Sequence, residues 1–158
     1  MLKLKKNMIR IADILISFIG LIILFPLIIL IYFLIYNETK SPIFKQVRIG
    51  KNRTKFTLMK FRTMNIGTES LATHLIENTK ITNLGGILRK TKLDELPQLL
   101  NVLRGDMSLV GPRPCLPSQF ELIDIRQKYD LYKYLPGITG LAQINAIDMS
   151  DPVLLANT

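Results

Sequence analysis

Two adjacent carboxylates, Asp94 and Glu95, are the residues in this chain whose types and setting best suit chemistry. Carboxylates can act as covalent nucleophiles, as bases or as ligands for a hard cation. Four basic residues flank them in the same segment: Arg89, Lys90, Lys92 and Arg113. Spacing alone still favours a structural role, because an Asp-Glu pair often precedes a helix. In that interpretation Asp94 only caps the helix and Glu95 is a solvated acid.

Pro97 helps to place the helix that follows the carboxylates. Proline has no backbone N–H, so a helix tolerates it best in the first turn. The sequence therefore predicts a helix start between Leu93 and Leu96, with Asp94 close to the N-cap. A capping box that begins at Thr91 is the alternative. At the positive end of the helix dipole, we expect Asp94 to stay ionised and bound phosphates to share the same donors.

A predicted β-hairpin supplies two further cations. Residues 43–50 alternate apolar and polar side chains, as a half-buried strand does, and residues 56–64 have a rougher strand pattern after a turn at 50–53. Lys60 and Arg62 fall on one face of the second strand, where two cations could clamp a diphosphate. From the pattern alone, a solvated or lipid-facing basic stripe is the favoured interpretation.

The uncharged run from Ile14 to Tyr36 is long enough to enter a bilayer, whose core of ~30 Å needs about 20 helical residues. Pro26 lies in the middle of this run, and both flanks are basic. A helix broken at Pro26 that enters the membrane and returns would keep both flanks in the cytoplasm. A kinked helix that crosses the membrane once is the equal alternative. Asp13 is expected at the headgroup level, where it can pair with Arg10.

Composition narrows the class of protein. The chain has 158 residues, a net charge of +9 and a mean hydropathy of +0.26. A chain that is both basic and apolar suits an anionic membrane surface better than nucleic acid, and we find no aromatic stacking motif or recognition helix. A single cysteine, Cys115, excludes an internal disulfide, and with a single histidine, His74, there is no credible Cys/His metal cluster.

Several motifs that occur in order from Leu2 to Asn145 resemble the bacterial sugar transferase family, the small monotopic phosphoglycosyl transferases. They are the apolar segment with its proline, the F-x-Q-x-R-x-G element at residues 44–50, KFRTM, LDELPQLLNVLRGDMSLVGPRP and PGITGLAQIN. The number and order of these motifs make the resemblance specific, whereas Asp-Glu-Leu-Pro alone would not.

The resemblance implies an α+β fold at the bacterial inner membrane. Residues 1–36 would form a basic N-terminus and a re-entrant helix broken at Pro26. Residues 37–158 would form a small mixed α/β catalytic domain with short strands and interfacial amphipathic helices, facing the cytoplasm. Two departures stand out. Phe25 replaces the serine that small members often carry before this proline, and the family commonly continues well beyond the Gly-Leu-Ala-Gln element, so we expect a C-terminally short domain.

The resemblance also implies a reaction. The substrates would be a UDP-sugar and a polyprenyl phosphate, usually undecaprenyl phosphate, with Mg²⁺ as cofactor and inner-membrane lipid as partner. Asp94 would be the nucleophile and hold the metal, giving an aspartyl phosphosugar and UMP, and Glu95 would act as a base or position the metal. Four cations would bind the substrate: Lys60, Arg62, Arg89 and Arg113. The product would initiate assembly of an O-antigen, capsule, exopolysaccharide or glycoprotein glycan.

A membrane-bound scaffold that keeps the fold without turnover is the alternative function, and the short C-terminus favours it, whereas the intact Asp94, Glu95 and Arg113 oppose it. The chain is also compatible with a homo-oligomer. Neither the sugar nor the glycan pathway is encoded in a short motif of this sequence.

Overall fold

A long N-terminal helix and a small α/β unit packed along one side of it form the described part of the protein. The computed structural model describes residues 2–67 and 81–144, so His74 lies outside it. The helices and strands follow in this order: α1 (Leu2–Thr39), β1 (Ile43–Ile49), β2 (Lys55–Phe61), α2 (Asn83–Thr91), α3 (Gln98–Arg104), β3 (Ser108–Val110), α4 (Phe120–Lys128), β4 (Gly137–Thr139) and α5 (Leu141–Ile144). This confirms the predicted mixture of helices and short strands.

Helix α1 runs through Pro26 without interruption, so the predicted break is absent from its secondary structure. A proline removes one backbone hydrogen bond, which packing on either side can offset. Leu27 and Ile28, directly after the proline, pack against the same core cluster as Ile31 and Ile35. Phe25 brings no hydroxyl that could stabilise a break. The helix is long and apolar enough to cross a membrane.

The buried positions of α1 recur about every four residues and form one stripe. Asp13, Ser17, Ile31, Ile35 and Thr39 are buried, whereas most apolar side chains on the other faces are exposed. This is the pattern of a helix that packs along one stripe and presents an apolar surface elsewhere. Because the exposed side chains of a water-soluble helix would be polar, this surface is suited to lipid.

Two polar residues near the start of α1 bind the connection between α3 and β3. Asp13 accepts hydrogen bonds from the Ser108 hydroxyl at 2.7 Å and from the backbone N–H of Leu109 at 3.1 Å. Arg10 donates to the carbonyl oxygen of Met107 at 3.3 Å and to that of the α3 residue Leu103. The expected pairing of Arg10 with Asp13 is therefore wrong, since each side chain binds the α/β unit instead.

The predicted hairpin is confirmed, with β1 and β2 antiparallel in a register that places Phe44 opposite Lys60. Strands β3 and β4 form a separate parallel pair. The sequence pattern predicts a turn at the Pro-Gly segment and then a short strand at residues 141–145. That strand prediction is wrong, because residues Gly137–Thr139 form β4 and helix α5 follows. Gly137 allows this pairing, because a Cβ there would overlap the backbone nitrogen of Gly111.

Three apolar clusters hold the elements around the carboxylates. The first joins α1, β2 and α2, the second joins β2, α3 and β3, and the third packs α4 against β1. Cys115 is buried in the third cluster, with its sulfur 3.3 Å from the Tyr132 hydroxyl. The clusters cover both faces of the hairpin, since Ile49 and Phe61 lie on one face and Leu58 lies on the other.

Candidate active site

Asp94 and Glu95 lie in a 3₁₀ turn, Leu93–Glu95, rather than at the cap of the next helix. Lys92 adopts a left-handed conformation with φ of +60°, which ends α2 and reverses the chain into this turn. Leu93 and Leu96 pack against the apolar cluster of α1, β2 and α2, so the turn is anchored on both sides of the acids.

Helix α3 begins only at Gln98, after Pro97, and no side chain caps it. The N-cap role predicted for Asp94 is therefore wrong. The alternative capping box is wrong too, because Thr91 is the last residue of α2 and its hydroxyl donates to the carbonyl oxygens of Ile87 and Leu88. The predicted helix start between Leu93 and Leu96 is therefore too early, and Pro97 precedes α3 instead of lying in its first turn.

Asp94 is a buried carboxylate with free coordination capacity. It is 6% exposed, and its Oδ1 has no hydrogen-bond partner among the described residues. Burial raises the pKa of Asp94, with the neighbouring Glu95 acting in the same direction, while Lys60, Arg89 and Lys92 oppose the rise. The direction is opposite to that expected from a helix dipole, because desolvation disfavours the charge and the predicted cap is absent.

Two of the predicted cations lie near Asp94. Lys60 is carried by β2, and burial lowers its pKa to about 8 although the charge of Asp94 opposes the change. Arg89, in the last turn of α2, donates from Nε to the Thr63 hydroxyl at 2.8 Å. Burial also lowers the pKa of Arg89, again against the field of Asp94. Both cations can therefore stabilise an anion that forms at Asp94.

Arg113 lies beside the second acid, Glu95. Its Nη1 lies 3.6 Å from Oε1 of Glu95, and both side chains are largely buried. A small cleft opens here, with Lys60, Glu95, Arg113 and Gln98 among its lining residues. The cleft therefore combines one carboxylate with several cations, which suits a ligand that carries more than one negative charge.

Arg62 makes contacts of a different kind. Its Nε donates to the carbonyl oxygen of Ser41 at 2.7 Å, and its Nη2 lies 3.1 Å from the Ser41 hydroxyl. The guanidinium also lies 5.6 Å from the ring centre of Phe44, as Lys60 Nζ does at 5.5 Å. The two cations thus share a face, as predicted, but the described contacts of Arg62 fix the connection between α1 and β1. Substrate binding by Arg62 stays a prediction.

Arg48 is a site residue that was not selected from the sequence. It lines the cleft, and it donates to the carbonyl oxygen of Pro114 at 3.1 Å and to Oε1 of Gln46. Burial and the charge of Arg113 lower its pKa to about 10. Its position in the F-x-Q-x-R-x-G element could have identified it from the sequence. Arg48 and Phe44 lie on the same face of β1, and Phe44 is paired with Lys60 across the hairpin.

In the sequence, the pair Gly85-Gly86 is a weak signal for a turn that admits a phosphate close to the backbone. In the structure both glycines lie in the first turn of α2. A Cβ on Gly85 would overlap the backbone of Thr63, and the Gly85 N–H donates to the Thr82 hydroxyl at 2.9 Å. Gly85 therefore serves close packing and capping, which accounts for the glycine without a ligand.

The whole arrangement can now be compared with known proteins. The family model of the bacterial sugar transferases matches residues 4–154. The chain belongs to this family. ExoY of Rhizobium meliloti, an exopolysaccharide production protein, is 39% identical over 154 residues, covering 86% of this chain and 68% of ExoY.

Two further relatives are similar. A UDP-glucose:undecaprenyl-phosphate glucose-1-phosphate transferase of Klebsiella pneumoniae is 41% identical over 141 residues, covering 86% of this chain and 30% of that protein. The uncharacterized sugar transferase EpsL of Bacillus subtilis is 50% identical over 106 residues, covering 66% of this chain and 52% of EpsL. The chain spans about a third of the length of the Klebsiella relative and about half of the length of EpsL.

Proposed function

We propose that this chain transfers a sugar 1-phosphate from a UDP-sugar to a polyprenyl phosphate and releases UMP. The observation that carries the proposal is Asp94, a buried carboxylate with an unpartnered oxygen, set beside Lys60 and Arg89. Family membership supports it, since the Klebsiella relative is named for this reaction with UDP-glucose and undecaprenyl phosphate.

In the first step, a carboxylate oxygen of Asp94 attacks the sugar-bearing phosphorus of the UDP-sugar. The new O–P bond forms as the bond to the UMP oxygen breaks, so UMP leaves with the bonding electron pair. A desolvated carboxylate is a better nucleophile than a hydrated one, provided that it is ionised. Lys60 and Arg89 favour that ionised form and offset charge on the transferred phosphoryl group.

In the second step, a phosphate oxygen of the polyprenyl phosphate attacks the same phosphorus. The bond to Asp94 breaks, the carboxylate is regenerated, and the product is a polyprenyl diphosphate sugar. Glu95 adjoins the nucleophile and is oriented by Arg113 at 3.6 Å, so it can accept a proton from an incoming monoprotonated phosphate. The two acids then have different tasks because their surroundings differ.

The donor set of the site fits Mg²⁺ bound together with substrate. Among residues 2–67 and 81–144 no group of three or more His, Cys, Asp or Glu side chains could hold a metal ion. The unpartnered Oδ1 of Asp94 offers one carboxylate ligand, and Mg²⁺ commonly takes its remaining ligands from phosphates and water. When bound, the metal would supply charge neutralisation at the diphosphate.

The packing of α1 supports a monotopic location on the cytoplasmic face of the inner membrane. Arg10, near the start of the helix, and Ile35, near its end, both contact the α/β unit. A helix crossing the bilayer would have to carry part of this polar unit through lipid, which is unfavourable. We propose that the exposed apolar side of α1 enters the lipid while both of its ends stay on one side.

The test is UMP release by the detergent-solubilised protein with Mg²⁺, undecaprenyl phosphate and a panel of UDP-sugars. Release that needs both the lipid phosphate and one sugar supports the proposal and identifies the donor. With UDP-sugar alone, intact mass spectrometry should find one added sugar phosphate on the wild type and none on Asp94→Asn. Equal silence from the wild type and the variant would contradict the proposal and support a scaffold.

A further inference from the structure

Arg126 on α4 is a buried cation that the proposed reaction does not use. It is 4% exposed, and within the described ranges it takes part in no ion pair. Its Nη1 donates a hydrogen bond to the carbonyl oxygen of Arg113, while its buried Nε has no partner among the residues that the structure describes. The described polar contact of this guanidinium is thus with the backbone of a predicted substrate-binding residue.

Burying a guanidinium without a carboxylate is costly, and an apolar side chain of similar size would fill the same space without that cost. The third apolar cluster, with Leu122 and Ile123 from the same helix, already anchors α4. Packing therefore does not explain the charge of Arg126. The hydrogen bond to the Arg113 carbonyl oxygen does.

The turn that carries Arg113 needs outside support. Prolines on both sides of Arg113 have no N–H to donate, so the turn can form few backbone hydrogen bonds of its own. The carbonyl oxygen of Pro112 accepts from the Gly137 N–H at 3.0 Å, and that of Pro114 accepts from Arg48. Arg126 holds the carbonyl oxygen between these two.

We propose that Arg126 is a positioning residue for Arg113. By holding the Arg113 carbonyl oxygen, it fixes the peptide unit from which the Arg113 side chain projects toward Glu95 at 3.6 Å. Helix α4, which lines no part of the cleft, thereby becomes part of the machinery that orients the cation. The kinetic consequence rests on the proposed function, whereas the structural consequence does not.

The structural consequence is tested without turnover, by phenylglyoxal labelling of Arg113 followed by mass spectrometry. Arg126→Met removes the hydrogen-bond donor and keeps a side chain of similar length, whereas Arg126→Lys keeps one donor group. Lys128→Met is the matched control, since Lys128 is exposed on the same helix. Labelling of Arg113 should rise severalfold in Arg126→Met, less in Arg126→Lys and not in Lys128→Met. Unchanged labelling in Arg126→Met, with an unchanged melting temperature, would overturn the proposal. If Arg126→Met does not fold, Arg126→Leu, which also removes the donor, takes its place, and labelling of Arg113 no higher than in Lys128→Met would overturn the proposal.

The kinetic consequence is tested by a double-mutant cycle with Arg113→Met. Arg126→Met should lower kcat/KM for the UDP-sugar by about tenfold, within the loss that a ~1 Å misplacement can cause. The same change should cost almost nothing when Arg113 is already methionine, because a positioning residue acts through its target. Equal losses in both backgrounds would show a merely structural role. A wild type without UMP release would instead refute the proposed function, and the labelling result would still decide the role of Arg126.

Discussion

Replacing Asp94 with asparagine should make the protein inactive and more stable at the same time. The side chain is 6% exposed, and burial outweighs the nearby cations in setting the direction of its pKa, which is raised. The ionised carboxylate is therefore a net cost to the folded state. Asparagine has nearly the same shape and removes that charge, but it cannot form the aspartyl phosphosugar.

General magnitudes set the size of the stabilisation that we expect from Asp94→Asn. Each unit by which a pKa is raised corresponds to ~1.4 kcal/mol between the two protonation states. Stabilisations obtained at single sites are commonly about 0.5–2 kcal/mol, and for a chain of this size each 1 kcal/mol raises Tm by about 2–4 °C. We expect a gain of a few degrees in the apparent Tm of the detergent-solubilised protein at pH 8.

The pH dependence gives the reasoning a sharper test. An acid whose pKa is raised on folding adds stability below its unfolded pKa, and this contribution is lost as pH rises through the folded pKa. The advantage of Asp94→Asn over the wild type should therefore be largest at neutral and alkaline pH and shrink on acidification. Asp124→Asn, which removes an exposed acid on α4, is the control. An Asp94→Asn protein that is no more stable than this control at pH 8 would refute the argument from desolvation.

Further predictions address the other residues of the site and the anchor of α1. Glu95→Gln should lower UMP release by about 10²-fold, the usual contribution of a general base, while leaving the mass adduct on Asp94 intact; loss of the adduct would assign Glu95 to the first step. Because the pKa of Lys60 is lowered to about 8, UMP release should decline as pH rises through that value, and Lys60→Arg should keep activity at higher pH. An identical pH profile for the two proteins would remove Lys60 from the reaction. Chelation of divalent cations should stop UMP release, and added Mg²⁺ should restore it; release in the chelator would exclude the proposed cofactor. Asp13→Ala leaves the Ser108 hydroxyl and the Leu109 N–H without their acceptor. The free energy of unfolding should therefore fall by about 1–3 kcal/mol per unsatisfied group, and it should fall less in Asp13→Asn. Equal melting temperatures for Asp13→Ala and the wild type would contradict this.

Elements with a strong local signal were predicted correctly. The alternation of residues 43–50 and the turn after it identify the hairpin, and the apolar run identifies α1 as a helix. The pairing of β3 with β4 had no local signal. It depends on the contact between Gly111 and Gly137, residues that are separated by the whole of α4, and a Pro-Gly pair in sequence is typical of a turn.

The wrong predictions at the site concern backbone conformation and burial, which a sequence pattern does not show. The sequence predicted Pro97 in the first turn of a helix that starts between Leu93 and Leu96. Instead, the left-handed Lys92 leads into a 3₁₀ turn that holds Asp94, and α3 begins only after the proline. The direction in which the pKa of Asp94 shifts depends on burial, and the spacing of residues in the sequence does not show which side chains are buried. Arg48 escaped selection because a single arginine on a strand is common, and only the hairpin register brings its strand face beside Lys60.

The contacts of α1 argue that this helix is part of the unit that builds the candidate site. At one end, Asp13 fixes the start of β3, and this strand leads directly into the turn that carries Arg113. At the other end, Ile31 and Ile35 pack on Phe61 of β2, the strand that carries Lys60. The same helix therefore holds two strands that deliver cations to the cleft from different sides. A change that displaces α1 should therefore be transmitted to Lys60 and Arg113, which line the cleft.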